Sequence, residues 1–162
     1  MSSETHGGSG AGGEAARRQA RENARLVEAA FREFAENGPE AAVDYLDPGV
    51  EVYSEQTFAN AGRFHGVPGY LRWSARWFDA WEEFNFDIEL IEPVGESHVV
   101  VTCRQAARGK ASGAPVEMRA TYMFELEAGR AVRFHIYNER AEAIAAARRG
   151  EERAAREAGP PR

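Results

Sequence analysis

The sequence predicts an α+β fold in which one curved antiparallel sheet wraps around about three helices. Apolar residues recur at helical spacing in the first half of the chain, whereas after Glu83 they recur at every second position. Turn sequences then separate long alternating segments, as expected for consecutive β-hairpins. Helices followed by a series of strands are typical of α+β domains.

Two helices are predicted before the first strand. The first carries one apolar stripe at i, i+3, i+4 and i+7, made by Val27, Ala30, Phe31 and Phe34. Gly38, which follows Asn37, is suited to the left-handed conformation that ends a helix. Pro39 favours a first helical position, and Asp47-Pro48 stops the short second helix. These segments form a helical hairpin.

A third helix is predicted after a short strand and a polar loop. Residues 50–54 alternate as a strand does, and residues 56–64 are predicted to form the loop. His65-Gly66 precedes the helix, whose one face is unusually aromatic and holds Tyr70, Ser74, Trp77, Phe78 and Trp81, with Trp73 at its flank. Core packing is the ordinary role of such a face, and lining a pocket is the alternative.

The second half of the chain is predicted to form four strands. Phe86, Ile88 and Leu90 alternate with acidic residues, and residues 99–103 begin the next strand after the Gly95-Glu96 turn. In the last two strands, one face holds Val116, Met118, Ala120, Tyr122, Phe124, Leu126, Val132, Phe134 and Ile136. The other face holds Glu117, Arg119, Thr121, Met123, Glu125, Arg133, His135 and Tyr137. Which face lines the interior is not decided by the pattern.

The sequence predicts one domain with a tail at each end. Residues 1–13 are rich in Ser and Gly and are expected to be disordered, because they cannot bury enough apolar surface. Residues 14–147 form the domain. Residues 148–162 are charged and lack an apolar stripe, so they are expected to form a frayed helical tail.

Charge and cysteine content exclude several classes of function. Residues 22–147 hold 21 acidic and 12 basic side chains, which is opposite to the clustered basic surface of a nucleic-acid-binding protein. The single cysteine, Cys103, excludes a disulfide framework. No apolar segment approaches the roughly 20 residues of a membrane span, and no signal peptide is recognisable. We therefore expect a cytoplasmic protein with neither a nucleic-acid nor a membrane partner.

Several motifs together resemble a known family. They are Phe64-His65-Gly66 before the third helix, the segment 104–113, the hairpin 127–132, and Tyr137 followed by Glu139-Arg140-Ala141-Glu142-Ala143. From about Asn23 to Ala147 the chain resembles the SnoaL-like, ketosteroid-isomerase-like group of the nuclear transport factor 2-like superfamily, which has many small bacterial members. The resemblance implies a cone-shaped domain with a pocket inside the bent sheet, and a homodimer formed through the outer sheet face.

The residues that the superfamily's best-known reactions require are replaced here. Ketosteroid isomerisation, a worked case of pKa tuning, needs a carboxylate base and an oxyanion hole made by a tyrosine and a protonated acid. Thr121 stands at the position of that acid, and Tyr53 stands near the position of the base, with Glu55 the closest carboxylate. Epoxide hydrolysis in this superfamily needs an Asp-Arg-Asp arrangement, and His135 occupies the last acid position.

His135 is the leading candidate for a catalytic group, because an imidazole can accept or donate a proton near neutral pH. SnoaL-type polyketide cyclases pair a histidine with an acid. Glu55 and Glu139 are the two possible partners here, and Glu55 is the one predicted. The remaining pocket candidates are Tyr53, Trp73, Trp77, Arg104, Arg119, Thr121, Met123 and Tyr137. The resemblance implies that His135 and Tyr137 face inward, because functional residues of the last strand have that parity in the family. If the Val132, Phe134 and Ile136 face instead meets the helices, His135 and Tyr137 become dimer contacts.

We therefore expect a protein that binds a small apolar or aromatic molecule, and whether it is an enzyme stays open. Chemistry, if present, is expected to be cofactor-free proton transfer, such as isomerisation or cyclisation. No dinucleotide or phosphate-binding motif and no metal-ligand spacing occurs in the sequence. The alternatives are a ligand-binding module without turnover and a dimeric interaction domain whose tryptophans fill its own interior.

Overall fold

The computed structural model describes residues 9–160 and combines three α-helices with one six-stranded sheet. The helices are α1 (Ser9–Asn37), α2 (Gly66–Ala80) and α3 (Arg140–Ala158), and a 3₁₀ helix spans Pro39–Tyr45. The strands are β1 (Leu46–Ser54), β2 (Gly62–His65), β3 (Trp81–Val94), β4 (His98–Gly109), β5 (Pro115–Glu127) and β6 (Arg130–Tyr137).

The sheet has the strand order β2-β1-β6-β5-β4-β3. All neighbouring strands are antiparallel except β1 and β6, which run parallel. The sheet is curved and does not close, and α1, α2 and the 3₁₀ helix pack on one face, called the inner face below. The predicted α+β fold, with one curved sheet around helices, is thus confirmed.

The inner face carries the hydrophobic core. Val99, Val101 and Cys103 of β4 are fully buried there, and they pack with the apolar residues of β1, β5 and β6. The helix α1 adds Val27 and Phe31 from its predicted stripe. It ends where the sequence indicates, because Gly38 has φ 91° and donates its N–H to the Phe34 carbonyl at 3.0 Å.

The structure differs from the sequence interpretation in β2 and α1. The loop predicted for residues 56–64 contains the start of β2, whose Phe64 and Arg63 pair with Val52 and Tyr53 of β1. The helix α1 begins at Ser9, so residues 9–13 of the predicted tail are helical. Residues 1–8 and 161–162 lie outside the described part of the chain, and the extent of disorder in the tails stays a prediction.

The helix α3 packs on the opposite, outer face of the sheet. Its Ala143 and Ala147 are fully buried against Val100 and Met123. The charged segment after Arg148 continues this helix to Ala158 without an apolar stripe.

Hydrogen bonds hold the later part of α3 against the sheet. His98 Nδ1 lies 2.7 Å from Glu151 Oε1, and His98 is buried. Glu151 also accepts hydrogen bonds from the Ser97 N–H and hydroxyl at 2.8 and 2.7 Å. The absence of a side chain at Gly150 lets the helix backbone approach the His98 ring, where a Cβ atom would clash. The segment therefore docks through polar contacts that an apolar pattern does not reveal.

Among residues 9–160, no helix is both long and apolar enough to cross a membrane.

Candidate functional site

A cavity lies between α1, α2 and the inner face of the sheet. Its volume is about 80 Å³, measured as the space open to the centre of a water molecule. On that measure one water takes roughly 10–15 Å³, so the cavity has room for roughly five to eight waters. This space suits a ligand of about one or two aromatic rings.

The cavity wall is mainly aromatic. Eleven lining residues are aromatic: Phe31, Phe34, Phe58, Tyr70, Trp73, Trp77, Phe84, Phe86, Tyr122, Phe124 and Phe134. The other seven are Ala30, Ala42, Leu46, Asn60, Ser74, Gln105 and Ile136. None of these described lining residues carries a charged side chain or a histidine. Such a wall is typical of small-molecule pockets, which are mostly apolar with a few polar groups.

Phe31 of α1 connects the helix to the sheet inside this wall. Its ring centroid lies 5.6 Å from Phe86, 5.3 Å from Tyr122 and 5.7 Å from Phe124, each in an edge-to-face arrangement. Edge-to-face contacts hold aromatic rings in defined orientations. The aromatic side chains of the wall therefore pack against one another.

The strands β5 and β6 present their apolar face to the cavity. Tyr122 is opposite Ile136 in the ladder, and Phe124 is opposite Phe134. All four line the cavity. Because successive side chains of a strand point to opposite faces, the residues between them lie on the outer face.

The aromatic face of α2 forms another wall, and it includes the two predicted pocket tryptophans, Trp73 and Trp77. Trp73 belongs to a closed polar network: its Nε1 donates to Ser54 Oγ at 3.1 Å, and that hydroxyl donates to Asn60 Oδ1 at 3.4 Å. Its ring lies 5.3 Å from Phe134. Trp73 thus joins α2 to the end of β1.

Trp77 and Gln105 differ from Trp73 because each keeps a buried polar atom without a protein partner. Within residues 9–160, Trp77 Nε1 and Gln105 Oε1 make no hydrogen bond. The other end of the Gln105 amide is engaged, since its Nε2 donates to the Tyr122 hydroxyl at 2.8 Å. Buried polar atoms in this state are uncommon in folded proteins.

The titratable groups of the described wall are two tyrosines. Burial raises the pKa of both the Tyr70 and the Tyr122 hydroxyl far above the ordinary value of 10.0. Both stay uncharged at neutral pH. The wall therefore offers no group that exchanges a proton readily near pH 7.

The other predicted site residues were expected to point into the cavity, but the strand register places them elsewhere. Tyr53, Thr121, Met123, His135 and Tyr137 lie on the outer face, opposite to the cavity. The physical reason is the strict alternation of β5 and β6: burying Phe124, Phe134 and Ile136 under the helices forces their neighbours outward.

The two predicted catalytic residues do meet on that outer face. His135 Nε2 lies 3.0 Å from Glu55 Oε1. The His135 ring stacks on Tyr137 with centroids 3.7 Å apart, and the Tyr53 ring meets it edge-on at 4.3 Å. Burial lowers the pKa of His135, and the hydrogen bond to Glu55 only partly opposes this effect. A neutral His135 that donates from Nε2 keeps Nδ1 as an acceptor.

Arg104 and Arg119 lie away from the cavity, in exposed ion pairs on the outer face. Arg104 Nε lies 3.4 Å from a Glu117 oxygen, and Arg119 Nε donates to Glu89 at 3.0 Å. The hydrogen bond to Glu89 raises the pKa of Arg119. Exposed pairs of this kind contribute little to stability, and the two arginine side chains face solvent and not the cavity.

Sequence reasoning did not select several cavity residues, including Phe31, Phe86, Gln105 and Tyr122. One signal was present in the sequence: Tyr122 shares its parity with Phe124, and the apolar set of β6 was noted as the possible interior face. Gln105 is polar within an otherwise apolar inner row, between Cys103 and Ala107. A polar residue in an apolar row of a strand is the sequence signal that indicates a buried polar group at this position.

The curved sheet, the helices on its inner face and the cavity between them define a protein of the nuclear transport factor 2-like fold. Residues 27–134 match the SnoaL-like domain model, and the chain belongs to this family. None of the curated proteins matches the sequence.

Solved structures share the fold at low sequence identity. A protein of unknown function from Burkholderia pseudomallei is 18% identical, with a TM-score of 0.66 over 76% of this chain and 95% of its own. A protein named as a SnoaL-like polyketide cyclase from Jannaschia sp. CCS1 is 15% identical, with a TM-score of 0.64 over 87% and 94%. TerC, crystallised with polyporic acid, is 16% identical, with a TM-score of 0.64 over 76% and 98%.

Proposed function

We propose that this protein binds a small apolar or aromatic molecule in the cavity between α1, α2 and the sheet. The observation that carries the proposal is a wall of eleven aromatic side chains around open space, with no charged residue among its described members. A folded protein of this size normally packs its interior without such space. A ligand fills it and gains the contacts that the wall lacks.

The fold neighbours support a small-molecule role. TerC was crystallised with polyporic acid, and the Jannaschia protein is named as a polyketide cyclase. At 15–16% identity these likenesses concern the fold. The ligand of this chain is therefore argued from its own cavity.

Binding without turnover is the function that this geometry favours. General acid–base catalysis needs a group with a pKa near the working pH and within hydrogen-bond reach of the substrate. The described wall supplies only the two tyrosines with raised pKa values. Such a wall provides affinity for a ligand and selectivity for the shape of that ligand.

A matched pair of variants tests the binding proposal. Ala30 lines the cavity from α1, whereas Ala35 is exposed on the same helix. Ala30→Leu is expected to fill part of the cavity and weaken binding of naphthalene, measured by calorimetry, by at least about tenfold. Ala35→Leu is expected to leave it unchanged. Naphthalene that does not bind the wild-type protein, or binds both variants equally, contradicts the proposal.

The pair of His135 and Glu55 favours a second candidate function, cofactor-free proton transfer such as isomerisation or cyclisation. Their 3.0 Å contact and the free Nδ1 of a neutral His135 are the features of a general base. Its substrate would have to bind on the outer face, because the sheet separates this pair from the cavity. His135→Ala is then expected to abolish turnover while leaving cavity binding unchanged, whereas loss of cavity binding would contradict separate sites.

A homodimer in the bacterial cytoplasm also belongs to this proposal. The helix α3 covers the outer face around Val100 and Met123, which leaves the surface around Tyr53 and His135 for a second copy. The homodimer therefore accompanies ligand binding in the cavity and not proton transfer at His135. The free, buried thiol of Cys103 fits a reducing compartment. Sedimentation of the wild-type protein as a dimer, and of Tyr53→Glu as a monomer, is the expected result. A monomeric wild-type protein contradicts it.

A further inference from the structure

Trp77 and Gln105 give the cavity a polar position that the protein itself does not satisfy. Trp77 is 6% exposed and Gln105 is 3% exposed, and both line the cavity. In the described chain, neither Trp77 Nε1 nor Gln105 Oε1 has a partner. An indole N–H can only donate, and an amide oxygen can only accept. Among the residues that the structure describes, Trp77 Nε1 therefore lacks a hydrogen-bond acceptor, and Gln105 Oε1 lacks a hydrogen-bond donor.

Two other polar groups of the wall are paired, whereas the buried Ser74 hydroxyl has no partner among residues 9–160. Trp73 Nε1 donates to Ser54, and the Tyr70 hydroxyl donates to the Pro39 carbonyl at 3.0 Å. Leaving a buried donor or acceptor unpaired costs stability, so pairing is the rule. Three exceptions in the described part of the chain, Ser74, Trp77 and Gln105, line the cavity, where a ligand can supply the missing partners.

Trp77 and Gln105 belong to one continuous stretch of the wall. The Trp77 ring lies 5.3 Å from Phe84, and Phe84 lies 5.6 Å from Phe86. Phe86 is opposite Gln105 in the β3–β4 ladder, so both face the interior. The unpaired donor and acceptor thus lie on the same aromatic part of the wall as Phe84 and Phe86.

The surroundings of this position are neutral. No charged side chain occurs among the lining residues that the structure describes. A charged ligand group would lose its hydration here without gaining an opposite charge, which is costly in an apolar environment. An uncharged polar group avoids that cost.

We propose that the cavity selects a neutral aromatic molecule of one or two rings that carries a hydroxyl group. The hydroxyl oxygen accepts from Trp77 Nε1, and the hydroxyl proton is donated to Gln105 Oε1. The rings stack against Phe84 and Phe86. This specificity rests on the proposed binding function of the same cavity, and Trp77 and Gln105 are its determinants.

Three probes with one ring system test the specificity: naphthalene, 2-naphthol and 2-naphthoate, titrated by calorimetry at pH 7. The wild-type protein is expected to bind 2-naphthol about tenfold more tightly than naphthalene, as one well-placed hydrogen-bonding group provides. The anionic 2-naphthoate is expected to bind more weakly than both.

Single-residue variants assign the preference to the two side chains. Trp77→Phe is expected to bring the ratio of 2-naphthol to naphthalene affinity close to one, while naphthalene affinity changes by less than about threefold. Gln105→Met provides a second variant with the same expectation. Trp81→Phe is the matched control, because Trp81 Nε1 is also buried and unpaired within residues 9–160 but does not line the cavity. It should keep the wild-type ratio.

The outcomes separate the specificity from the binding function. Equal affinity of the wild-type protein for naphthalene and 2-naphthol, or a preference that survives both Trp77→Phe and Gln105→Met, overturns the specificity alone. Tighter binding of 2-naphthoate than of 2-naphthol overturns the neutrality of the ligand. Failure of all three probes to bind overturns the cavity as a binding site, and the specificity with it.

Discussion

Phe134 and His135 are consecutive residues that serve opposite faces of the sheet. The Phe134 ring lies 5.3 Å from Trp73 at the cavity, whereas His135 bonds to Glu55 on the outer face at 3.0 Å. The polypeptide backbone of β6 is all that separates them. The cavity and the His135 cluster are therefore close in sequence and chemically independent.

This separation predicts unequal effects of truncating the two side chains. Phe134→Ala removes a buried ring and is expected to lower the free energy of unfolding by roughly 3–5 kcal/mol. His135→Ala, at a half-buried surface position, is expected to cost about 1 kcal/mol or less. Urea unfolding monitored by circular dichroism measures both. Equal losses would show that the outer-face cluster supports the fold as strongly as the core does.

Ser54 is expected to stabilise the fold through Trp73. Ser54 is fully buried and accepts the Trp73 indole N–H, so Ser54→Ala leaves that donor unpaired. The expected cost is about 1–3 kcal/mol. In the double variant Ser54→Ala, Trp73→Phe the donor is absent, and the total cost should be less than the sum of the single costs. Strict additivity in chemical denaturation would exclude this coupling.

Gly150 is expected to be essential for the docking of α3. Helix propensity alone favours Gly→Ala by about 1 kcal/mol. At Gly150, however, the new methyl group would meet the His98 ring, so Gly150→Ala should destabilise the protein by about 1–3 kcal/mol. Gly12→Ala in α1 is the control, since nothing lies within 4 Å of the added atom, and it should stabilise. Melting temperatures that rise in both variants would contradict the packing of α3 against His98.

The titration of His135 should occur below the ordinary histidine value of 6.5, because burial lowers its pKa in the folded protein. The folded state then binds a proton less readily than the unfolded chain does. The contribution of neutral His135 to the free energy of unfolding is present above pH 6.5 and is lost as the pH falls through the folded-state pKa. Glu55→Gln removes an opposing interaction and should lower the pKa further. NMR titration of the His135 ring tests both statements, and a midpoint above 6.5 would refute them.

The helices and strand alternation were predictable from local patterns because they depend on residues a few positions apart. The apolar stripe of α1 and the aromatic face of α2 both correspond to surfaces that face the core and cavity. The strand β2 was missed because its four residues form a strand only through pairing with β1. The docking of α3 was missed because His98 and Glu151 are 53 positions apart.

The sequence by itself determined the α+β class, the family and the two alternating faces of β5 and β6. The tertiary structure decided which of those faces lines the cavity. Period-two alternation divides the residues into two sets without assigning either set to the interior. The packing of α1 and α2 on Phe124, Phe134 and Ile136 makes that assignment. Burying these side chains removes more apolar surface from water than burying Thr121, Met123 and His135 would.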